Sequence, residues 1–135
     1  MDSPRILIVE DQTVTARHLQ TTLKGFGYQA DNAVRTGEEA VDRAEELRPD
    51  LVLMDVMLAG EMDGIQAADR IRSRLDVPII FVTAYGDTTV MDRAKATGPF
   101  GYLLKPFRPD ELRSTIEMAL YKHKLELLLV ESRKK

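Results

Sequence analysis

The chain has 135 residues, of which 44% are hydrophobic and 30% charged, so it suits one globular domain with a single core. It contains no cysteine, which excludes disulfides, thiol catalysis and thiolate metal sites. Its formal net charge of −3 argues against nucleic acid as the main partner.

No apolar run approaches the length of a membrane span, and Met1–Arg5 carries no apolar signal stretch. We therefore expect a cytoplasmic protein that does not contact a membrane.

Short apolar runs alternate with longer amphipathic stretches along the chain. Three of the runs are almost unbroken aliphatic segments, as expected for strands covered on both faces. Two others are more mixed and are typical of the edges of the same sheet. The inner segments are Ile6–Val9, Leu51–Val56 and Ile79–Val82, and the edge segments are Gln29–Val34 and Phe100–Leu104.

Helical patterns occupy the intervals between these strands. The first helix has an apolar stripe at three- and four-residue spacing, and Gly25 or Gly27 can end it. The start signals of the other four helices are the Thr36–Glu39 capping box, Asp63, Asp87 and Pro109. Five strand–helix pairs in strict alternation predict a doubly wound parallel α/β sheet.

The last helix is longer than the sheet requires. From Asp110 it can run to about Ser132, roughly 34 Å, whereas five-residue strands span roughly 17 Å. Leu125 and Leu128 continue its apolar stripe beyond the expected core. This stripe indicates dimerisation or a helical lead into a following domain. The alternative is a frayed polar tail.

Polar residues follow the strands at the edge where open parallel sheets bind ligands. Glu10 and Asp11 follow the first strand, and Asp55 lies near the end of the third. The fourth strand ends at Thr83 and the fifth at Lys105. Three carboxylates placed together repel one another unless a cation offsets them. Because only oxygen donors are available, we expect Mg²⁺, which uses few carboxylates and keeps water.

The same residues suit phosphoryl chemistry. Lys105 is a point-charge partner for phosphate, Thr83 can donate to a phosphoryl oxygen, and Asp55 can act as a carboxylate nucleophile. Each residue alone has a plainer explanation, such as a helix cap, a strand-end hydrogen bond or a solvated lysine. Together these explanations require four coincidences at one sheet edge. The two histidines, His18 and His123, lie outside these loops and are expected to be solvated.

Five short segments stand out by their order and spacing. They are Ile6-Leu-Ile-Val-Glu-Asp11, Leu53-Met-Asp-Val56, Met62-Asp-Gly64, Phe81-Val-Thr-Ala84 and Gly101-Tyr-Leu-Leu-Lys-Pro-Phe107. Together they resemble response-regulator receiver domains of two-component signal transduction. The resemblance covers residues 5–121, leaving 1–4 as an N-terminal tail and 122–135 as a helical extension or linker. It implies a flavodoxin-like (βα)5 fold with strand order 2-1-3-4-5.

The resemblance also implies a phosphoacceptor and a metal site. Asp55 corresponds to the residue that a histidine kinase or histidine phosphotransfer domain phosphorylates. The metal would be Mg²⁺, for which Mn²⁺ can substitute. Asp11 and Asp55 would bind it directly, Glu10 through water, and Met57 through its backbone carbonyl.

A switch is implied beside that site. Thr83 and Lys105 match the switch hydroxyl and the phosphate-binding lysine, Tyr102 matches the switch aromatic, and the Lys105–Pro106 bond would be cis. Phosphorylation would be relayed through the face formed by the fourth helix, fifth strand and fifth helix. Such a domain is a regulatory phosphoacceptor that catalyses its own modification and turns over no separate substrate.

The loop after the phosphoacceptor departs from the family pattern. Many receivers have a short loop with a proline there, whereas Met57–Met62 has none and is one residue longer. We therefore expect a different loop shape near the metal. Met57 and Tyr85 are bulky and lie two residues beyond Asp55 and Thr83, so we hypothesise that they shield the acyl phosphate from water.

Three other classes of protein are alternatives to a phosphoryl-accepting receiver. A phosphatase with an aspartate nucleophile has Asp-x-Asp, whereas this chain has Asp55-Val-Met57 and lacks the second acid. A receiver-like module that docks constitutively through its last helix would give normal output from an Asp55→Ala variant. A transcription factor needs a DNA-binding domain, for which these residues leave no room. The continuing last helix is also typical of a receiver within a larger hybrid or sensor protein.

Overall fold

The buried aliphatic runs form five parallel strands in the order β2-β1-β3-β4-β5. The structure, a computed structural model, describes residues 3–84, 92–93 and 100–133. The strands are β1 (Ile6–Val9), β2 (Ala33–Val34), β3 (Leu51–Asp55), β4 (Ile79–Ala84) and β5 (Gly101–Lys105). The predicted flavodoxin-like sheet and its strand order are therefore confirmed.

Three of the described helices begin at the predicted signals Thr36, Asp63 and Pro109. The described helices are α1 (Thr13–Gly25), α2 (Gly37–Leu47), α3 (Gly64–Arg72) and the C-terminal helix (Pro109–Arg133). The predicted fourth helix, with Asp87 as its cap and Val90 and Ala94 inside, lies outside the described residues. Within that segment only Asp92 and Arg93 are described, and both are helical.

Alternating strand residues supply two separate cores, one on each face of the sheet, because successive side chains of a strand point in opposite directions. Leu7, Val52 and Phe81 pack with α2 and α3 on one face. Ile8 and Leu53 pack with α1 and the C-terminal helix on the other. Helices on both faces explain why the inner strands are apolar at every position except Asp55 and Thr83 near their carboxyl ends.

Strand β2 is shorter than its sequence pattern predicts. The apolar content of Gln29–Val34 indicates a six-residue strand, yet only Ala33–Val34 is paired as a strand. Gln29 forms an isolated bridge with Arg5 instead. An edge strand has one neighbour, so its pairing can lapse where the chain diverges from β1 without leaving buried donors unpaired.

The second and third helices are capped by side chains. Thr36 Oγ1 accepts a hydrogen bond from the Glu39 N–H (3.1 Å), but Glu39 Oε1 accepts from the Thr36 hydroxyl rather than from a backbone N–H. At α3 the capping box is complete, with Asp63 Oδ1 accepting from the Gln66 N–H and Gln66 Oε1 accepting from the Asp63 N–H. The Asp63 cap orients the first turn of α3.

Removing this cap should weaken the fold measurably. We expect Asp63→Ala to lower the free energy of unfolding by about 1–2 kcal/mol, because an N–H of the first turn loses its acceptor and the ion pair with Arg93 is lost. Urea denaturation measures the change. Asp63→Asn keeps the acceptor and should recover most of the loss; equal losses in both variants would contradict a capping role.

The C-terminal helix continues well past the sheet. It has 25 residues and is continuous to Arg133, which contradicts a frayed tail. Leu125 and Leu128 are exposed, as their position beyond the core predicts. Among the described residues, no helix combines the length and the apolar character needed to cross a membrane.

Candidate functional site

Strand register brings the predicted carboxylates to one level at the carboxyl edge of the sheet. Val9 of β1 pairs with Met54 of β3, so the next residues, Glu10 and Asp55, lie side by side. Their exposed fractions are 2% and 6%. Burial of two adjacent acids is costly unless charge and hydrogen bonds compensate.

Lys105 supplies the compensating charge. Its Nζ lies 3.1 Å from Glu10 Oε1 and 3.2 Å from Asp55 Oδ2, so one ammonium bridges both carboxylates. Two backbone donors hold the other oxygens, with the Gln12 N–H 3.1 Å from Glu10 Oε2 and the Met57 N–H 3.1 Å from Asp55 Oδ1. Each carboxylate is therefore fixed at both oxygens.

Glu10 and Asp11 do not cap α1. The N-cap is Gln12, whose side chain makes no capping hydrogen bond to the helix. Glu10 instead points inward to Lys105, and the Asp11 carbonyl accepts from Arg35 Nε at 3.3 Å. The plainer explanation of these two acids as helix caps is therefore wrong.

Glu10, Asp11 and Asp55 form a cluster that suits a hard cation. One carboxylate oxygen from each lies within 4.8 Å of the others. The three acids carry three negative charges against the single positive charge of Lys105, so the cluster keeps an excess of negative charge. Its donors are all oxygen, the set that Mg²⁺ prefers. The residues present thus fit the predicted metal.

The surroundings move the pKa values of the two buried acids in opposite directions. Burial, reinforced by the negative charge of Glu10, raises the pKa of Asp55 to about 6. Burial also acts to raise the pKa of Glu10, but hydrogen bonds with the Gln12 N–H, Lys105 and Asp55, together with the positive charge of Lys105, hold that pKa below its usual value. Burial likewise opposes the charged form of Lys105, yet its two carboxylate partners raise its pKa.

Thr83 is buried beside this cluster with an unused hydrogen-bonding group. It is 2% exposed, and its hydroxyl has no hydrogen-bond partner within the described part of the chain. Thr83 follows Val82, the residue of β4 that pairs with Asp55. A buried hydroxyl without a partner costs about 1–3 kcal/mol, which a ligand oxygen could recover.

Gly64 holds the backbone of the site, a role that sequence reasoning missed. Its N–H donates to the Val56 carbonyl at 2.9 Å. A Cβ at this position would overlap the Asp55 carbonyl oxygen and lie 2.9 Å from Val56 Cα. The sequence signal was the Asp-Gly pair at the start of α3, but only the tertiary contact explains why a side chain is excluded.

The remaining predicted site residues are more dispersed. Met57 is 62% exposed, and Tyr102 is partly buried against the core on the α2–α3 face. The Lys105–Pro106 peptide bond is cis. Tyr85 lies outside the described residues, so the structure places only one of the two proposed shielding side chains.

The loop after Asp55 has an irregular path. Ala59 forms an isolated bridge with Thr36, and Gly60 has a φ of 95°, a conformation that favours glycine. The bridge ties the loop to the start of α2, since Thr36 is the N-cap of that helix.

The two histidines differ from each other. His18 is exposed on α1, as predicted. His123 is not solvated: its side chain is 15% exposed, and its Nε2 lies 3.2 Å from Asp76 Oδ1. Its ring meets Phe100 edge-on at 5.7 Å. The prediction failed because Phe100 and Asp76 precede β5 and β4, and only the folded sheet brings them beside the C-terminal helix.

Comparison with known proteins identifies the family. Residues 6–117 match the sequence model of the response regulator receiver domain family. This chain is a member of that family. It is therefore a regulatory domain of two-component signalling rather than a metabolic enzyme, and the family signals through phosphorylation by histidine kinases.

A transcriptional regulator is among the relatives of this receiver. The receiver is 39% identical over 116 residues to the transcriptional regulatory protein PdtaR of Mycobacterium tuberculosis, covering 86% of this chain and 56% of that protein. The receiver thus spans just over half the length of that relative.

Solved receiver structures agree with the fold. The signal receiver domain of a modulated diguanylate cyclase from Desulfovibrio desulfuricans is 46% identical, with a TM-score of 0.86 over 93% of this chain and 99% of that one. The receiver domain of the sensor histidine kinase PA1611 from Pseudomonas aeruginosa is 33% identical, with a TM-score of 0.80 over 87% of this chain and 98% of that one. That structure holds a magnesium ion in its active-site cleft.

Proposed function

We propose that this receiver is a switch that accepts a phosphoryl group on Asp55 from a phosphohistidine of a histidine kinase or histidine phosphotransfer domain. The observation that carries the proposal is the Lys105 ammonium, which contacts Glu10 and Asp55, two of the three acids of the carboxylate cluster. A lysine and an acidic metal cluster around one buried aspartate are the parts that phosphoryl transfer requires.

The proposed step is a transfer between two partners. An Asp55 carboxylate oxygen attacks phosphorus, the phosphorus–nitrogen bond of the phosphohistidine breaks, and the imidazole nitrogen keeps the electron pair. Attack requires the ionised acid, and a pKa of about 6 leaves Asp55 mostly ionised at neutral pH. The Met57 N–H holds the Asp55 carboxylate in place, so the side chain loses little rotational freedom when it reacts.

The metal of this proposal is Mg²⁺, with Mn²⁺ as a substitute. Asp11 and Asp55 would bind it directly, Glu10 through water and Met57 through its carbonyl. When bound, the cation offsets the carboxylate charge and the charge on the phosphoryl oxygens. The magnesium ion in the active-site cleft of the PA1611 receiver supports the choice of metal.

The switch follows from the new charge on Asp55. Thr83 and Lys105 can each bond to the phosphoryl oxygens, and Thr83 does so with a hydroxyl that lacks a partner among the described residues. Moving a two-state equilibrium from 1:99 to 99:1 takes about 5.5 kcal/mol, and hydrogen bonds to charged groups contribute roughly 1.5–3 kcal/mol each. Two to four such bonds therefore suffice to shift the equilibrium. Repacking of Tyr102 on β5 would carry the change to the face shared with the fourth and C-terminal helices.

The partners of this proposal are proteins. The net charge of −3 supports a receiver that itself contacts neither nucleic acid nor an acidic membrane surface. We propose that it meets its kinase in the cytoplasm. Any DNA contact would belong to another part of a longer protein.

Intact-mass measurement tests the proposal. With acetyl phosphate and Mg²⁺, we expect one phosphoryl adduct that is labile to hydroxylamine, absent with chelator and absent in Asp55→Asn. Asp42→Asn, an exposed aspartate on α2, should still be modified. A folded, Mg²⁺-binding protein that forms no adduct would instead indicate a receiver that docks partners constitutively.

A further inference from the structure

The C-terminal helix carries two apolar faces rather than one. One face is buried on the sheet by Leu112, Ile116 and Ala119. At about 100° per residue, a second set of side chains lies on roughly the opposite side of the helix. We call this set the outer seam; it consists of Met118, Tyr121, Leu125 and Leu128, which are 73%, 64%, 43% and 52% exposed.

The outer seam has the spacing of a coiled coil. Its residues follow one another at intervals of three, four and three, which places Met118 and Leu125 at heptad position a, and Tyr121 and Leu128 at position d. Exposed apolar side chains that lie next to one another along one face of a helix mark an interaction surface. Because the seam faces away from the sheet, another helix can lie on it without displacing the core.

We propose that the occupant is a second copy of this chain, whose C-terminal helix pairs with this one in parallel and in register. The pairing uses no residue of the phosphoryl site, so its test does not depend on whether Asp55 is phosphorylated.

Charges flanking the seam favour the parallel arrangement. In a parallel pair, position g of one helix faces position e of the next heptad on the other. Glu117 occupies g and Lys122 occupies e, so each Glu117 would face Lys122 of the second copy, twice per dimer. Opposite charges at these positions set partner choice and orientation.

The antiparallel arrangement places like charges together. With the outer seams fully overlapped, g faces g and e faces e. Lys124 would then face Lys124 of the second copy, Lys122 would face Lys122, and Glu117 would face Glu131. All these pairs repel, so the flanking charges oppose this orientation.

Glu117 and Lys122 can leave their present contacts within the chain and pair with a second copy, because those contacts are weak. Glu117 Oε1 accepts from Arg113 Nε at 3.0 Å, and Lys122 Nζ lies 5.2 Å from the centre of the Phe100 ring. Exposed contacts of either kind are weak. The outer seam spans only two heptads, so we expect a weak dimer whose population rises with concentration.

Sedimentation equilibrium of the unphosphorylated chain tests whether the dimer exists. We expect a reversible monomer–dimer equilibrium that Leu125→Glu weakens about tenfold or more. Glu126→Lys, next to it but outside the seam, should leave the dissociation constant unchanged. Circular dichroism confirms that the variants are folded, as expected for exposed positions. A monomer at every concentration would overturn the proposal.

Cysteine cross-linking tests the register, because the chain has no cysteine of its own. In a parallel, in-register dimer, Leu128→Cys places two thiols at the same d layer, so mild oxidation should give a disulfide-linked dimer. Glu126→Cys, on the side away from the pairing, should cross-link far less. Equal cross-linking of the two variants would contradict the register.

Charge reversal tests the orientation. Glu117→Lys should weaken the parallel dimer by placing it beside Lys122, and adding Lys122→Glu to the same chain should restore it. In the antiparallel dimer, Glu117→Lys would meet Glu131 and strengthen association. A tighter dimer from the single variant would therefore overturn the parallel arrangement.

Discussion

Gly64→Ala is expected to lower the free energy of unfolding by on the order of 3 kcal/mol, a large effect for one methyl group. The added carbon would overlap the Asp55 carbonyl oxygen and crowd Val56 Cα, and neither backbone atom can move without shifting β3 against α3. Because the shifted segment carries the phosphoacceptor, we also expect the rate of phosphorylation to fall, by about a hundredfold for a displacement near 1 Å. Urea denaturation and timed intact-mass measurement give the two values.

Gly25→Ala is the matched control for this experiment. A Cβ at Gly25, the last residue of α1, would meet no atom within 4 Å. The same change there should raise stability by about 0.5–1 kcal/mol, because alanine favours a helix more than glycine. If Gly64→Ala behaved like Gly25→Ala, α3 would not be packed against the Asp55 backbone as described.

Asp55→Asn is expected to stabilise the protein at neutral pH when no divalent cation is present, by on the order of 1–3 kcal/mol. Burial raises the pKa of Asp55 from 3.8 to about 6, so the native state binds a proton more tightly than the unfolded state does. The wild type therefore loses stability as pH rises from about 3.8 to about 6, relative to the variant. Above that pH window the difference in unfolding free energy between the two proteins is constant, and below the window it disappears.

Urea denaturation of both proteins at neutral pH and at the acid end of this window measures the change. Mg²⁺ should narrow the neutral-pH difference, because a cation bound by the native wild type adds stability by mass action. Asp42→Asn, at an exposed position, should match the wild type throughout. A variant less stable than the wild type at neutral pH would show that the Lys105 contact outweighs the burial of charge.

The Asp55 site illustrates a conflict between stability and function. A buried, partly compensated acid costs folding energy, and Asn would remove that cost. The same burial keeps water away and leaves an excess of negative charge for a cation. We expect phosphorylation, not stability, to account for an aspartate at this position.

Local signals explain why so much of the fold could be predicted. Almost unbroken apolar runs marked β1, β3 and β4, because strands covered on both faces need apolar side chains along most of their length. Thr36, Asp63 and Pro109 marked helix starts because each meets a requirement of the first turn itself. The candidate site followed from topology, since parallel strands deliver their last residues to one edge of the sheet.

Features that depend on contacts between residues distant in sequence could not be predicted from local sequence patterns. The shortness of β2 depends on where the chain leaves β1, and the burial of His123 depends on Asp76 and Phe100, which are distant in sequence. The need for glycine at Gly64 arises from a backbone 8–9 positions earlier in the chain. None of these contacts leaves a periodic pattern in the sequence.

The sequence by itself determined the alternating α/β architecture, the starts of α2, α3 and the C-terminal helix, and the identity of the acids, hydroxyl and lysine at the sheet edge. These depend on side-chain type and on spacing within a few residues. Only the tertiary structure decided that Lys105 bridges Glu10 and Asp55, that the Thr83 hydroxyl is buried, and that the outer seam faces away from the core. Distances, burial and pKa values depend on which distant segments meet, and that is known only once the sheet is assembled.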